Sequence, residues 1–252
     1  MKNFRFRILV VLLATLVVAV SAYSQSFFGG GRGYRRVVEQ NIPPSTELIV
    51  ARWRFGTNGW FGHMGWSHNY PSSDQNLNQF IAGATGINID IMSYSIIELS
   101  SDDVFDYPFA YVSEPGEMAL TDEEVKNLRE YIDRGGFILM DDFDGPEQLG
   151  NMKSQVKRAF PDREFIPIPT DHRIFSAHFE LDDLEGMSAY VPGGNITYYG
   201  IYNDNGEVAI AAGFNNDLAN FWDWYDQAGM PLKPATDAFR LGVNTIVYSM
   251  MH

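Results

Sequence analysis

From Thr121 to Asp144 the chain spells out one helix and the strand that follows it, and few folds accept that unit. Thr121-Asp122-Glu123-Glu124 has the spacing of a capping box, in which a threonine hydroxyl and a glutamate carboxylate satisfy backbone donors at a helix start. Val125, Leu128 and Ile132 recur at three- and four-residue spacing, so one helix face is apolar. Gly135-Gly136 stops the helix. Phe137-Ile138-Leu139-Met140 then runs without a polar face, as a strand does when it is buried on both sides. Such a strand needs helices above and below it.

The same rhythm recurs along the chain. Residues 48–55 read as a strand, and residues 74–85 as a helix with Leu77, Phe80, Ile81 and Ala84 on one face. Residues 87–91, 109–113 and 164–168 read as further strands. Residues 147–160 read as a helix whose Lys153, Lys157 and Arg158 lie toward the end that favours cations. Strands alternating with amphipathic helices predict an α/β fold with a mostly parallel sheet covered on both faces. Residues 198–202 and 208–212 flank an Asn-Gly turn at Asn205-Gly206, which predicts a C-terminal β-hairpin. Residues 236–251 carry Phe239, Val243, Ile246, Val247 and Met250 at helical spacing, a closing helix. One domain is expected over residues 47–252.

The N-terminus is of a different kind. Lys2, Arg5 and Arg7 precede 13 mostly aliphatic residues, 8–20, fewer than the roughly 20 that span a bilayer. Small residues then suit cleavage after Ala22 or Ser24, so residues 1–24 read as a secretory signal, with an uncleaved anchor as the alternative. No cysteine follows it, which excludes a lipoprotein anchor. Residues 25–46, Gly-rich at first and carrying Pro43-Pro44, read as a flexible linker. The protein is expected to be exported, periplasmic or extracellular, and to touch the membrane only through an uncleaved signal.

Charge and cysteine count narrow the chemistry. The chain holds 32 acidic against 18 Lys and Arg residues, a formal −14; without the three basic residues of the signal it is −17. That sign excludes nucleic acid as the main partner. With no cysteine there is no disulfide framework, thiol nucleophile or zinc–thiolate site. No phosphate loop, dinucleotide fingerprint or G-x-S-x-G elbow is present, so no cofactor is expected beyond a divalent metal. The expected partner is a small ligand or another envelope protein.

In an open α/β sheet, ligands bind beyond the carboxyl ends of the strands. The positions there are Arg54 with the aromatic loop 56–71, Ser113-Glu114, Asp141, Asp142 and Asp144, and Thr170-Asp171-His172. Three carboxylates within four residues suit Mg²⁺ or Ca²⁺, and a histidine would widen the choice to Zn²⁺ or Mn²⁺. His172, oriented by Asp171 or Asp141, is the candidate base or ligand. The competing structural reading makes Asp142 or Asp144 a helix cap, pairs Asp141 with an arginine such as Arg54, and leaves His172 to hold its loop. Trp60, Phe61, Trp66 and Tyr70, with residues 221–225, are read as buried core or interface in preference to stacking platforms for sugars.

Successive blocks of the chain resemble the bacterial domain of unknown function 4159. They are Arg52-Trp53-Arg54-Phe55, the aromatic loop, Asn76-Leu77, residues 106–111, residues 120–128, Tyr131 to Phe137 with Asp141-Asp142, residues 171–175 and residues 240–248. The resemblance implies a flavodoxin-like, three-layer sandwich similar to the class I glutamine amidotransferases. In those proteins the nucleophile sits on a G-x-C-x-G elbow, and Asp141-Asp142-Phe143-Asp144-Gly145 falls on it with Phe143 at the cysteine position. A phenyl ring is no nucleophile, so amidotransferase chemistry is rejected. Two readings follow. The first is a non-catalytic ligand-binding or scaffold module in the envelope. The alternative is a metal-dependent hydrolase acting on a cell-envelope or carbohydrate substrate through Asp141, Asp144 and His172.

Overall fold

Strand β1 (Val50–Arg54) is buried along all but its last residue, and its alternation sends neighbours to opposite faces of the sheet. Arg52 reaches Asp74 of helix α1 (Ser72–Ala84). Trp53 packs edge-on against Tyr131 of helix α2 (Asp122–Asp133), ring centroids 4.7 Å apart. Helices therefore cover both faces. The structure is a computed structural model that describes residues 38, 40–58, 65–181, 183–184 and 195–251. The expected signal, residues 25–37 of the expected linker, and Trp60, Phe61 and His63 lie outside the described residues.

The remaining elements are β2 (Tyr94–Glu98), β3 (Phe109–Ser113), β4 (Phe137–Phe143), α3 (Gly145–Ala159), β5 (Ile166–Pro167), β6 (Thr197–Tyr202), β7 (Val208–Phe214), α4 (Leu218–Trp224) and α5 (Leu232–Ser249). Seven strands form one mixed sheet in the order β2-β1-β3-β4-β7-β6-β5. Pairings from β2 through β7 are parallel, and β7-β6 and β6-β5 are antiparallel. The fold is thus of the α/β class. Helices α1, α4 and α5 pack on one another, and α2 packs on α3. Among the described residues no helix is long and apolar enough to cross a membrane.

The helix at Thr121 forms as its sequence predicts, with both halves of the capping box in place. Three expectations are corrected. Residues 87–91 do not pair as a strand; Asp90 and Ser93 close a turn, with Met92 N–H donating to Asp90 Oδ1 and Asp90 N–H to Ser93 Oγ. The strand is β2, which begins at Tyr94 just beyond that turn. Residues 164–168 form only the two-residue strand Ile166–Pro167, extended by Ile168 N–H donating to Tyr198 O, because Pro167 and Pro169 lack N–H donors and confine the segment to an edge. The expected linker is docked before residue 47: Gln40 donates to Ser95 Oγ and Ile96 O, and Asn41 donates to Met92 O and Tyr94 O on the outer strand β2.

Candidate functional site at the carboxyl ends of the strands

Among the described residues, four that are not glycine have positive φ: Asn69, Glu114, Asp142 and Asn215, between 53° and 65°. Asn69 lies in the loop after β1, Glu114 directly after β3, Asp142 in the last turn of β4, and Asn215 directly after β7. All four sit where parallel strands end. Each such residue costs about 1 kcal/mol or more, which the surrounding contacts must hold in place.

At Asp142 the strain has a visible result. The register between β4 and β7 slips between Met140 and Phe143, and Asp142 N–H donates to Asn216 O at 3.2 Å. In a regular strand Asp141 and Asp142 would face opposite sides of the sheet. The bulge re-aims them, as bulges near sites do. Asp141 is fully buried and accepts from Tyr111 Oη at 2.8 Å and from the backbone N–H groups of Leu218 and Ala219, so it caps α4. Asp142 meets His68, whose Nδ1 lies 2.5 Å from Asp142 Oδ2.

His68 is brought there from the loop after β1 by two devices. Buried Arg52 pairs with Asp74 and also donates from one guanidinium nitrogen to Trp66 O and His68 O, each at 3.1 Å. Gly65 lets the loop lie against the turn Pro115–Glu117, since a Cβ there would stand 2.6 Å from Glu117 Oε2 and 3.2 Å from Glu114 Cβ. Glu114 Oε1 is then 3.9 Å from His68 Nδ1. From the opposite side comes Asp217, which caps α4 through Asn220 N–H at 2.9 Å. Asn69 ties the same region to α4 by donating to Asn220 Oδ1 and Asp223 Oδ2.

The electrostatics are one-sided. Burial, followed by the charge of Asp142, raises Glu114 to about 9. Burial and Asp142 likewise raise Asp141 to about 7, against the hydrogen bonds from Leu218, Tyr111 and Ala219 that favour its charged form. Burial, then Asp142 and Asp141, pushes Asp217 well above the usual carboxylate range. Among the described residues no lysine or arginine pairs with any of these carboxyls, and His68 is the one basic side chain that touches them. One ligand atom each from His68, Asp142 and Asp217 lie within 4.8 Å of one another, the single such group of three among the described residues. The His68 side chain is 37% exposed, so the group opens to solvent.

The family model described as Domain of unknown function (DUF4159) matches residues 51–250. The chain belongs to this family. No curated protein matches it. The matched region contains every strand from β2 to β7 and all the residues that converge at the strand ends.

Of the residues expected at the site, Asp141 and Asp142 are there and the others stand apart from the three-ligand group. Arg54 is half exposed and paired with Glu98, because the end of β1 faces its neighbour β2. Asp144 is exposed at the start of α3; its side chain makes no cap bond, and its N–H instead donates to Gln148 Oε1. Asp171 is exposed. His172 lies at the other end of the sheet: its ring is 5.6 Å from Tyr248 and 6.3 Å from Tyr202, and Tyr248 touches Phe137 at the start of β4. The five steps from Phe137 to Asp142 put roughly 15 Å between the two ends. His172 Nδ1 accepts from Ile174 N–H and holds its own turn.

The aromatic segments are core where they are described. Trp66, Tyr70, Phe221 and Trp222 are buried, while Trp224 and Tyr225 are partly exposed. Asp217 and His68 were not singled out by sequence. Asp217-Leu218-Ala219-Asn220 does carry a cap pattern, but α4 spans only 7 residues and shows no period to read.

Proposed function

We propose that this protein is an exported envelope module that binds a divalent cation at the strand ends through His68, Asp142 and Asp217. The observation that carries the reading is their convergence within 4.8 Å beside two further buried carboxyls, Glu114 and Asp141, that no lysine or arginine meets among the described residues. Carboxyls crowded in this way must hold protons or a cation, because like charges at short range in a low dielectric repel strongly. Ligands on one ion with bonds of about 2.1 Å stand roughly 3 Å apart. Binding would therefore lengthen the 2.5 Å contact between His68 and Asp142 only slightly. Mixed nitrogen and oxygen donors suit Mn²⁺ or Zn²⁺ better than Ca²⁺.

Two further features of the reading rest on sequence and on the alternating architecture. Export rests on the basic and apolar pattern of residues 1–24. A flavodoxin-like, amidotransferase-like sandwich with a C-terminal hairpin is supported by helices on both sheet faces and by the turn from β4 into α3. At that turn the strained residue is Asp142 and not Phe143. A carboxylate, with no thiol available anywhere in the chain, argues for binding over amidotransferase chemistry.

The second reading, a metal-dependent hydrolase, is favoured by Glu114. Its carboxyl lies 3.9 Å from His68 Nδ1, and a carboxyl beside the ligands would be the group to take a proton from a water that a bound cation activates. Native mass spectrometry with elemental analysis on the chain from about Gln25 tests the binding reading. A stoichiometric divalent metal that is lost in His68→Ala and kept in His172→Ala is the expected result. A metal-free protein that takes up neither Mn²⁺ nor Zn²⁺ would overturn it.

A further inference from the structure

A second concavity adjoins the strand-end site. It encloses about 660 Å³ between the turn Pro115–Glu117 and helix α3, and is lined by Asn58, Glu117, Glu147, Gln148, Asn151 and Gln155 among others. That volume is ordinary for a small-ligand pocket. Its lining is distinct from the cation site, although Glu117 follows Glu114 by three residues and Gln148 accepts the N–H of Asp144.

The lining has a consistent chemistry. Each of three amides spends one side of its group on the protein. Gln148 Oε1 accepts from Asp144 N–H, Gln155 Oε1 accepts from Leu120 N–H, and Asn151 Nδ2 donates to Gly116 O and Met118 O. Those bonds fix the amides, and they leave Gln148 Nε2, Gln155 Nε2 and Asn151 Oδ1 without a protein partner among the described residues. The Asn58 side chain and the Glu147 carboxylate add a further donor and two acceptor groups. Gly116 keeps Gln148 close, because a Cβ there would stand 2.5 Å from Gln148 Cβ. The result is a pre-oriented set of alternating donors and acceptors, with Met118 and Ala119 as its apolar part.

Hydroxyl groups, each a donor and an acceptor, match such a lining. Anions do not: the exposed Glu147 lines the space, no lysine or arginine is among its described lining residues, and nearby Arg158 is already paired with Asp122. An extended peptide would seek an unpaired strand edge, whereas this wall is a helix and a turn. We infer that the pocket binds a neutral or amine-bearing oligosaccharide. The inference rests on the reading of the protein as an exported ligand-binding module, and not on the cation.

The test is calorimetric titration of the mature chain with three trisaccharides: N-acetylated chitotriose, its deacetylated triamine, and trigalacturonic acid. Binding of the first two and none of the uronate is expected. Asn58→Ala and Glu147→Lys change exposed side chains that make no hydrogen bond or ion pair among the described residues, so both should fold normally. Asn58→Ala should weaken both binding sugars about tenfold. Glu147→Lys should weaken the triamine more than the neutral sugar. Binding of no trimer, preference for the uronate, or unchanged binding in both variants overturns the inference. Parallel titration with Mn²⁺ separates the failures: cation bound without sugar overturns this inference alone, and neither bound overturns the module reading as well.

Discussion

Asp74 and Asp141 are both buried carboxylates, and they are satisfied in opposite ways. Asp74 accepts two nitrogens of Arg52, at 2.8 and 3.1 Å, in a forked pair. Asp141 accepts only from a phenol and from the start of a helix, and its neighbour Asp142 adds charge of the same sign. Among the described residues, an arginine thus meets Asp74, and no lysine or arginine meets the carboxyls that converge at the strand ends. Arg52 also links the two regions, because the guanidinium that neutralises Asp74 holds the backbone of His68.

The largest effect is expected from breaking the matched region. Arg52→Ala leaves Asp74 buried and unpaired, a loss of about 3–5 kcal/mol, and should weaken cation binding as well by releasing the His68 loop. Arg52→Lys keeps the charge but not the fork, and should fall between. Urea unfolding with and without Mn²⁺ reads both effects.

In the unmatched region removal of a charge has the opposite sign. Asp217→Asn keeps the cap on α4, since asparagine caps as well as aspartate, and it relieves repulsion. The metal-free variant should be at least as stable as the parent at pH 8, while Mn²⁺ affinity falls about 10–100-fold. A destabilised variant with unchanged affinity would assign Asp217 to structure alone.

The third expectation concerns pH. Glu114 and Asp141 titrate near 9 and 7 in the folded chain, above their ordinary values of 4.5 and 3.8. The folded state therefore binds more protons than the unfolded state between about pH 4 and 9, and its stability falls as pH rises through that window. Melting temperature of the metal-free protein should drop from pH 6 to 9. Saturating Mn²⁺ should flatten the slope, and Glu114→Gln should reduce it.

These contrasts explain how much was readable in advance. Asp141 and Asp142 stand out in the sequence because they end an apolar strand, and strand ends are where open sheets bind ligands. His68 and His172 look alike on paper, each in an irregular stretch after a strand. What separates them is tertiary: Gly65 allows the close approach of one loop, and the apolar packing of Tyr202 and Tyr248 claims the other ring. The bulge in β4 is equally silent, since nothing in Met140-Asp141-Asp142-Phe143 announces a register slip. The helix pattern at Thr121 was legible because its capping and its apolar period are local.

The smallest effects are expected at the residues that stand apart. His172→Ala should cost about 1 kcal/mol through its lost hydrogen bond and leave cation affinity unchanged. Arg54→Ala removes a surface ion pair and should stay within about 0.5 kcal/mol of the parent. A larger loss of affinity in either variant would move the site away from His68.

The most direct measurement is anomalous scattering from crystals soaked in Mn²⁺ or Zn²⁺. A single strong peak within about 2.0–2.3 Å of a His68 ring nitrogen and of carboxylate oxygens from Asp142 and Asp217 is the result this account predicts. A peak beside His172 and Asp171, or none at the strand ends at full soaking, would contradict it.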